Sequence, residues 1–208
     1  MLKTIRDPKY IPLSIIFCSL LIVFILVALP NEKTLGSIIK IIYVHIALVQ
    51  ASLFAFAGAG FIGLIGLFKK DDRLFQWGVA LQKTAFLFWI LYYGTSMIAT
   101  YMSWGVWIEW NEPRVQIAIR VIALAAIFLV ISIWINKRIF TEITNIILAV
   151  FVIYATKSAM NIRHPISPIG DSESIFYRAA LMAILFFTLV ILIQVNRLIM
   201  DKFKSTAT

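Results

Sequence analysis

The sequence predicts an all-α membrane protein with six transmembrane helices. Hydrophobic residues make up 62% of the 208 residues, and the mean hydropathy is +0.94. Soluble domains contain only about 45–50% apolar residues. Six apolar runs approach or exceed the roughly 20 residues that a helix needs to cross a bilayer. We therefore expect one membrane domain, residues 1–208, with spans at about residues 13–29, 41–68, 75–100, 115–135, 140–156 and 175–199.

The first run follows a basic start, an arrangement that also occurs in secretory signals. Its end, Val27-Ala28-Leu29-Pro30-Asn31, offers no pair of small residues for cleavage, so we expect a retained span. The single cysteine, Cys18, lies inside it and is expected to be a small buried apolar residue. One cysteine excludes an internal disulfide, a CxxC redox pair and a Cys-x-x-Cys-His haem attachment site.

The second and third runs are longer than a bilayer requires, so we expect these helices to tilt or to protrude. The second also carries Ala55, Ala59 and Gly63 at a spacing of four residues. Small residues at that spacing permit close packing of helices in membranes.

The basic residues predict the orientation of the six spans. Eleven lie at the two termini and in the second and fourth loops, against five in the first, third and fifth loops. The positive-inside rule then places both termini in the cytoplasm and the odd-numbered loops outside. The excess of basic residues is thus a signal of topology, and no nucleic-acid-binding motif accompanies it.

Motifs of soluble enzymes are missing from the sequence. It contains no phosphate-binding GxxxxGK[ST] loop, no HExxH and no GxSxG. We therefore expect a protein that is not an enzyme, and any ATP hydrolysis would have to come from a partner.

The third loop, residues 101–114, is unusually rich in tryptophan. Three of the six tryptophans in the chain are Trp104, Trp107 and Trp110. If this stretch is helical, the spacing of three places the indoles on one face as an aromatic platform for a large planar ligand. The alternative is that they are interfacial anchors, which are common at the ends of membrane spans.

The only two histidines fall on the same predicted side of the membrane as these tryptophans. His45 lies near the outer end of the second span, and His164 lies in the fifth loop. A histidine at the end of a span is often structural, but ionisable groups in membrane segments are also candidates for function. Two imidazoles beside an aromatic shelf are what a six-coordinate haem requires.

Three separated pieces of sequence resemble one family. They are Ile42-Tyr43-Val44-His45, the segment Trp104-Gly105-Val106-Trp107-Ile108-Glu109-Trp110 with Glu112-Pro113-Arg114 after it, and Arg163-His164-Pro165. In order and spacing, over about residues 40–200, they resemble the haem exporter protein C (CcmC) family of six-span cytochrome c maturation proteins, which carry a tryptophan-rich "WWD" segment.

This resemblance implies a function and a site. The protein would bind b-type haem transiently and without a covalent bond at the outer face of the cytoplasmic membrane, and would pass it to a CcmE-like haem chaperone. CcmA/CcmB-like ABC transporter subunits would be further partners. The resemblance makes His45 and His164 the iron ligands and puts the tryptophan segment, with Glu112, at the haem. Arg114 and Arg163 are candidates to pair with the haem propionates, or alternatively with lipid phosphate.

The tryptophan segment departs from the family pattern in three places. Ile108 replaces a tryptophan, Glu109 is charged where an apolar residue is usual, and Asn111 is inserted before the acidic residue. We expect Asn111 to cap the following helix, with Glu112 and Pro113 in its first turn.

Two other classes of membrane protein are alternatives. A small-solute transporter would be expected to show internal repeats, and we find no convincing repeat between residues 1–104 and 105–208. An electron-transfer subunit linked to haem or quinone normally pairs histidines on facing spans within the bilayer, whereas both histidines here lie at one predicted surface.

Overall fold

The computed structural model describes residues 8–32, 35–159 and 174–205, and over these ranges it confirms the all-α prediction. After a short 3-10 helix, Pro8–Tyr10, six helices follow, each long and apolar enough to span a membrane. They are α1 (Ile11–Ala28), α2 (Ile38–Phe68), α3 (Asp72–Trp104), α4 (Pro113–Ile135), α5 (Arg138–Ser158) and α6 (Ile175–Ser205).

The antiparallel pair α2 and α3 forms the centre of the bundle. Helix α5 packs against α2, α4 packs against α3 and α5, and α6 contacts both α2 and α3. Helix α1 packs mainly against α6 and buries few side chains, among them Ile11 and Cys18. The interior is built around large side chains such as Phe56, Trp89 and Leu148.

Small residues let α2 approach α5 closely. A Cβ atom added at Gly63 would lie 2.7 Å from the backbone oxygen of Glu142, and one at Gly60 would lie 2.5 Å from Cβ of Ala149. Ala55 and Ala59 are buried along the same helix. The close packing expected from the small residues is therefore confirmed, and Gly60 extends it.

One arginine joins two of the turns. Arg138, the first residue of α5, donates hydrogen bonds to the backbone oxygens of Lys69 and Asp71 at 3.1 and 2.8 Å. It also forms ion pairs with Asp72 at 3.1 Å and with the buried Glu142 at 2.8 Å. The α2–α3 and α4–α5 turns thus lie at the same end of the bundle, here called the inner end.

The other connections follow from the same arrangement. The Tyr43 hydroxyl, near the start of α2, donates to the backbone oxygen of Tyr177, near the start of α6, at 3.1 Å. Both helices therefore begin at the opposite end, here called the outer end. The start of α1 lies beside the last part of α6, because Tyr10 and Arg197 line one groove. The described parts of both terminal helices thus meet at the inner end.

Polar side chains are buried in the inner half of the bundle. Gln82, Asn145 and Asn196 are each at most 2% exposed. The Thr84 hydroxyl donates to Oδ1 of Asn196 at 3.3 Å, which links α3 to α6. The amide of Gln82 has no hydrogen-bond partner among the described residues. Such groups are costly in a membrane interior and tie helices together when they are satisfied.

Candidate functional site

Helix α3 extends well beyond the start of α4 at the outer end. The indole N–H of Trp89 donates to the backbone oxygen of Ala118 at 3.1 Å, which places Trp89 about one and a half turns inward of the start of α4. The stretch from Gly94 to Trp104 therefore projects about 15 Å further, at about 1.5 Å per residue. Residues 105–112 must return over that distance to reach Pro113.

The projection ends at a glycine. Gly105 has φ = 74°, in the left-handed region, and its N–H donates to the backbone oxygen of Tyr101 at 2.9 Å. Glycine adopts this conformation without the steric cost that other residues incur, and it commonly ends helices in this way. The helix predicted to end near residue 100 thus continues to Trp104, and the loop is shorter than the predicted 101–114.

This helix end removes the continuous helical face that would align the three tryptophans. Trp104 is the last helical residue, whereas Trp107 and Trp110 lie in the returning segment. The prediction of one helical aromatic platform is therefore wrong, because Gly105 reverses the chain between the first indole and the other two.

The returning segment instead packs part of its aromatic surface on α3. The Trp107 ring stacks on Tyr101, with centroids 4.4 Å apart and planes inclined by 14°. The backbone oxygen of Trp110 accepts a hydrogen bond from Nε2 of Gln116 at 2.8 Å. The exposed fractions of Trp104, Trp107 and Trp110 are 43%, 54% and 62%. Three accessible indoles therefore lie on the last turn of α3 and on the segment that returns from it to α4.

Glu112, rather than Asn111, caps α4. The Glu112 carboxylate accepts from the backbone N–H of Arg114 at 3.5 Å, and Pro113 is the first helical residue. Asn111 lies in the preceding turn, where its backbone N–H donates to the carboxylate of Glu109 at 3.1 Å. Proline needs no N–H acceptor at the first position, and a carboxylate at the cap interacts favourably with the helix dipole. The inserted Asn111 thus lies in the turn before α4 and leaves the start of the helix unchanged.

Helices α2, α3 and α4 bring four polar side chains together near the start of α4. The His45 ring on α2 contacts the Tyr92 ring on α3, with centroids 4.8 Å apart and planes inclined by 45°. Glu112 and Arg114 at the start of α4 both lie within electrostatic range of the Tyr92 hydroxyl. We call His45, Tyr92, Glu112 and Arg114 the outer polar cluster.

The members of the outer polar cluster differ in burial. Glu112 is 2% exposed and Tyr92 is 6% exposed, whereas His45 and Arg114 are half-buried. Nε of Arg114 is buried and has no hydrogen-bond partner among the described residues. A ligand oxygen that accepts from this N–H would be favoured, since a buried donor without an acceptor is costly.

The sequence predicts three of these four residues as site residues, but it gives no signal for Tyr92. The contact of His45 with Tyr92 depends on the register of α2 against α3, which the sequence does not reveal. Two further candidates, Arg163 and His164, lie outside the described residues. The structure therefore joins His45, Glu112 and Arg114 in one cluster and places the three tryptophans on the adjoining loop.

No protein-family model matches the chain, and no curated protein matches it either.

The outer polar cluster and the adjoining tryptophan loop carry chemical groups of the kind that bind haem. An imidazole can ligate iron, a guanidinium can make two charge-assisted hydrogen bonds to a propionate, and exposed indoles can pack against a porphyrin. Among the described residues, His45 could thus supply one iron ligand and Arg114 one contact to a propionate.

Proposed function

We propose that this protein binds haem at the outer end of its helix bundle and hands it to a haem chaperone for cytochrome c maturation. The observation that carries the proposal is the outer polar cluster, in which the His45 ring contacts Tyr92 and the Arg114 guanidinium lies within electrostatic range of the Tyr92 hydroxyl, next to a loop with three exposed tryptophans.

Each residue has a role in this proposal. His45 ligates the iron from one side, and His164 supplies the second imidazole, as the family resemblance implies. Arg114, together with Arg163, pairs with the propionates. Glu112 caps α4, so its part is to hold Arg114 at the start of that helix. The haem is bound without a covalent link and is released to the next protein.

The partners follow from the same proposal. A CcmE-like chaperone receives the haem, and CcmA/CcmB-like ABC transporter subunits provide ATP hydrolysis, for which this sequence has no motif. The protein itself is proposed to be a haem-presenting membrane protein and not an enzyme. It would reside in the cytoplasmic membrane, with membrane lipid around it and the haem site on the extracytoplasmic face.

The proposed orientation makes the tryptophan loop extracytoplasmic. In a Cys18→Ala background, Val106→Cys should react with a membrane-impermeant thiol reagent applied to intact cells, because Val106 is exposed in the outer loop. Lys70→Cys, in the exposed turn at the inner end, should react only after the cells are permeabilised. The opposite labelling pattern would place the outer polar cluster in the cytoplasm and refute this orientation.

The tryptophans should contribute to haem retention. Trp107→Phe and Trp110→Phe should each lower the affinity for haem by about two- to tenfold, the effect of losing about 0.5–1.5 kcal/mol of aromatic contact. The measurement is haem bound per purified protein, together with its transfer to the chaperone. Trp134→Phe is the matched control, because Trp134 is 88% exposed at the inner end. Equal haem content in all three variants would show that the loop tryptophans are interfacial anchors.

A further inference from the structure

Two buried carboxamides lie at the junction of α2, α3 and α5, in the inner half of the bundle. Asn145 on α5 is 2% exposed, and Gln82 on α3 is 1% exposed. A Cβ atom added at Gly63 on α2 would lie 3.4 Å from Cβ of Asn145. One added at Gly78 on α3 would lie 3.5 Å from Nδ2 of Asn145. The Asn145 side chain therefore lies between α2 and α3.

Gln82 lies next to Asn145 at this junction. It follows Gly78 by four residues, so the two positions share a face of α3 and their Cβ positions lie about 5–6 Å apart. Long side chains on a helix point back toward its N-terminus, which for α3 is the inner end and the side of Gly78. This direction brings the Gln82 carboxamide close to the level of Asn145 along the bundle.

Three polar atoms at the junction have no hydrogen-bond partner among the described residues. They are Oε1 and Nε2 of Gln82 and Oδ1 of Asn145, and all three are buried. A buried donor or acceptor without a partner is costly, so such groups are nearly always satisfied by protein or by ordered water. Gly63 and Gly78 have no side chains that could supply these hydrogen bonds.

The unpartnered atoms determine which kind of ligand fits. Nε2 of Gln82 is a donor, whereas the two oxygens are acceptors. A cation would bind only the oxygens and an anion only the N–H groups, but water both donates and accepts. Exchanging the O and N positions of the Gln82 amide would not alter this, because both atoms lack partners. Glu142, one turn inward of Asn145 on α5, already pairs with Arg138 at 2.8 Å.

Water is therefore the ligand that matches this site. We propose that bound water molecules join the Gln82 and Asn145 side chains at the junction of α2, α3 and α5. One water donates to Oε1 of Gln82 and to Oδ1 of Asn145, and a second accepts from Nε2 of Gln82. Buried waters make about three hydrogen bonds each, to polar groups that would otherwise be unsatisfied. Gln82 lies about 15 Å inward of Tyr92 along α3, so this site is separate from the proposed haem site.

Contact with water can be measured on the unaltered protein. In the detergent-purified full chain with ¹⁵N-labelled glutamine, the side-chain amide protons of Gln82 should show cross-peaks to water. These cross-peaks should have opposite signs in laboratory-frame and rotating-frame Overhauser spectra, which distinguishes a bound water from proton exchange. The Gln82 signal is identified by its loss in Gln82→Met. A Gln82 amide without such cross-peaks would overturn the proposal.

Stability measurements distinguish a water bridge from carboxamides that are simply unsatisfied. In denaturant unfolding, Gln82→Met and Asn145→Leu should each raise the unfolding equilibrium constant by at least about fivefold, because each leaves the other carboxamide without its full set of partners. The double variant should lie closer to the wild type than either single variant, because both polar groups are replaced together. A single variant that lowers the constant would show that its carboxamide has no partner, which contradicts the bridge.

A third buried polar residue provides the control. Thr188 on α6 is 5% exposed, and its hydroxyl donates to the backbone oxygen of Ile184 at 2.8 Å. The effects of Thr188→Val and Gln82→Met should combine multiplicatively, because the two side chains share no partner. If Gln82→Met and Asn145→Leu also combine multiplicatively, the water bridge is refuted. If they are coupled but Gln82 has no contact with water, the two carboxamides bond directly, which refutes it as well.

Discussion

Replacement of Arg138 by Gln should lower the free energy of unfolding by about 3–5 kcal/mol, the usual cost of removing one partner of a buried ion pair. Glu142 is 3% exposed, and Arg138 pairs with its carboxylate at 2.8 Å. The same guanidinium binds the backbone oxygens of Lys69 and Asp71. The variant would therefore leave a buried carboxylate without its cation and would also release the α2–α3 turn.

The surrounding residues provide matched controls for this effect. The Asp72 side chain, which also pairs with Arg138, is 93% exposed, so Asp72→Asn should cost less than about 1 kcal/mol. The double variant Arg138→Met/Glu142→Leu should recover much of the loss, because it removes both charges together. Denaturant unfolding in detergent measures all three. If Arg138→Gln is as mild as Asp72→Asn, the pair does not stabilise the inner end.

The number and order of the helices could be predicted because a bilayer imposes one rule on every span. About 20 apolar residues are needed for each crossing, and six runs approach or exceed that length. Close packing of α2 against another helix was also foreseeable, because small residues at a spacing of four, such as Ala59 and Gly63, permit it, but the sequence did not indicate that the partner is α5.

The outer end could be predicted only in part, because hydropathy does not mark where a helix stops once it leaves the membrane. Gly105 ends α3, and glycine is a recognisable stop signal that was available in the sequence. The prediction that Asn111 caps α4 was wrong. Asn111 and Glu112 are adjacent, and Glu112, which directly precedes Pro113, is the capping residue. Proline is common at the first position of a helix, so Pro113 in that position would make Glu112, the residue before it, the cap.

The pairings between distant residues could not be predicted at all. The contact of His45 with Tyr92 depends on the axial register in which α2 packs against α3. The burial of Glu142 against α2 depends on Gly66, because a Cβ atom there would collide with the Glu142 carboxylate. Arg138 and Glu142 do stand four residues apart in the sequence, which is the one local signal of that ion pair.

The largest functional effect should come from His45. If its imidazole ligates the iron, His45→Ala should weaken haem binding by more than about 100-fold, since losing groups that merely orient a metal ligand already costs about 10–100-fold. Gln50→Ala is a suitable control, because Gln50 is an exposed residue about one and a half turns further along α2. Haem titration of the purified variants, followed by absorbance, measures the affinities. Equal binding by His45→Ala and Gln50→Ala would remove His45 from the proposed site.

The most direct test of haem ligation is the absorption spectrum of haem-loaded His45→Gly before and after addition of free imidazole. The wild type should show a six-coordinate low-spin spectrum if, as we propose, the imidazoles of His45 and His164 both ligate the iron. The variant should lose this spectrum, and free imidazole should restore it by taking the vacated position while the fold is unchanged. A variant that keeps the low-spin spectrum without imidazole, or one that imidazole does not restore, would contradict ligation of haem by His45.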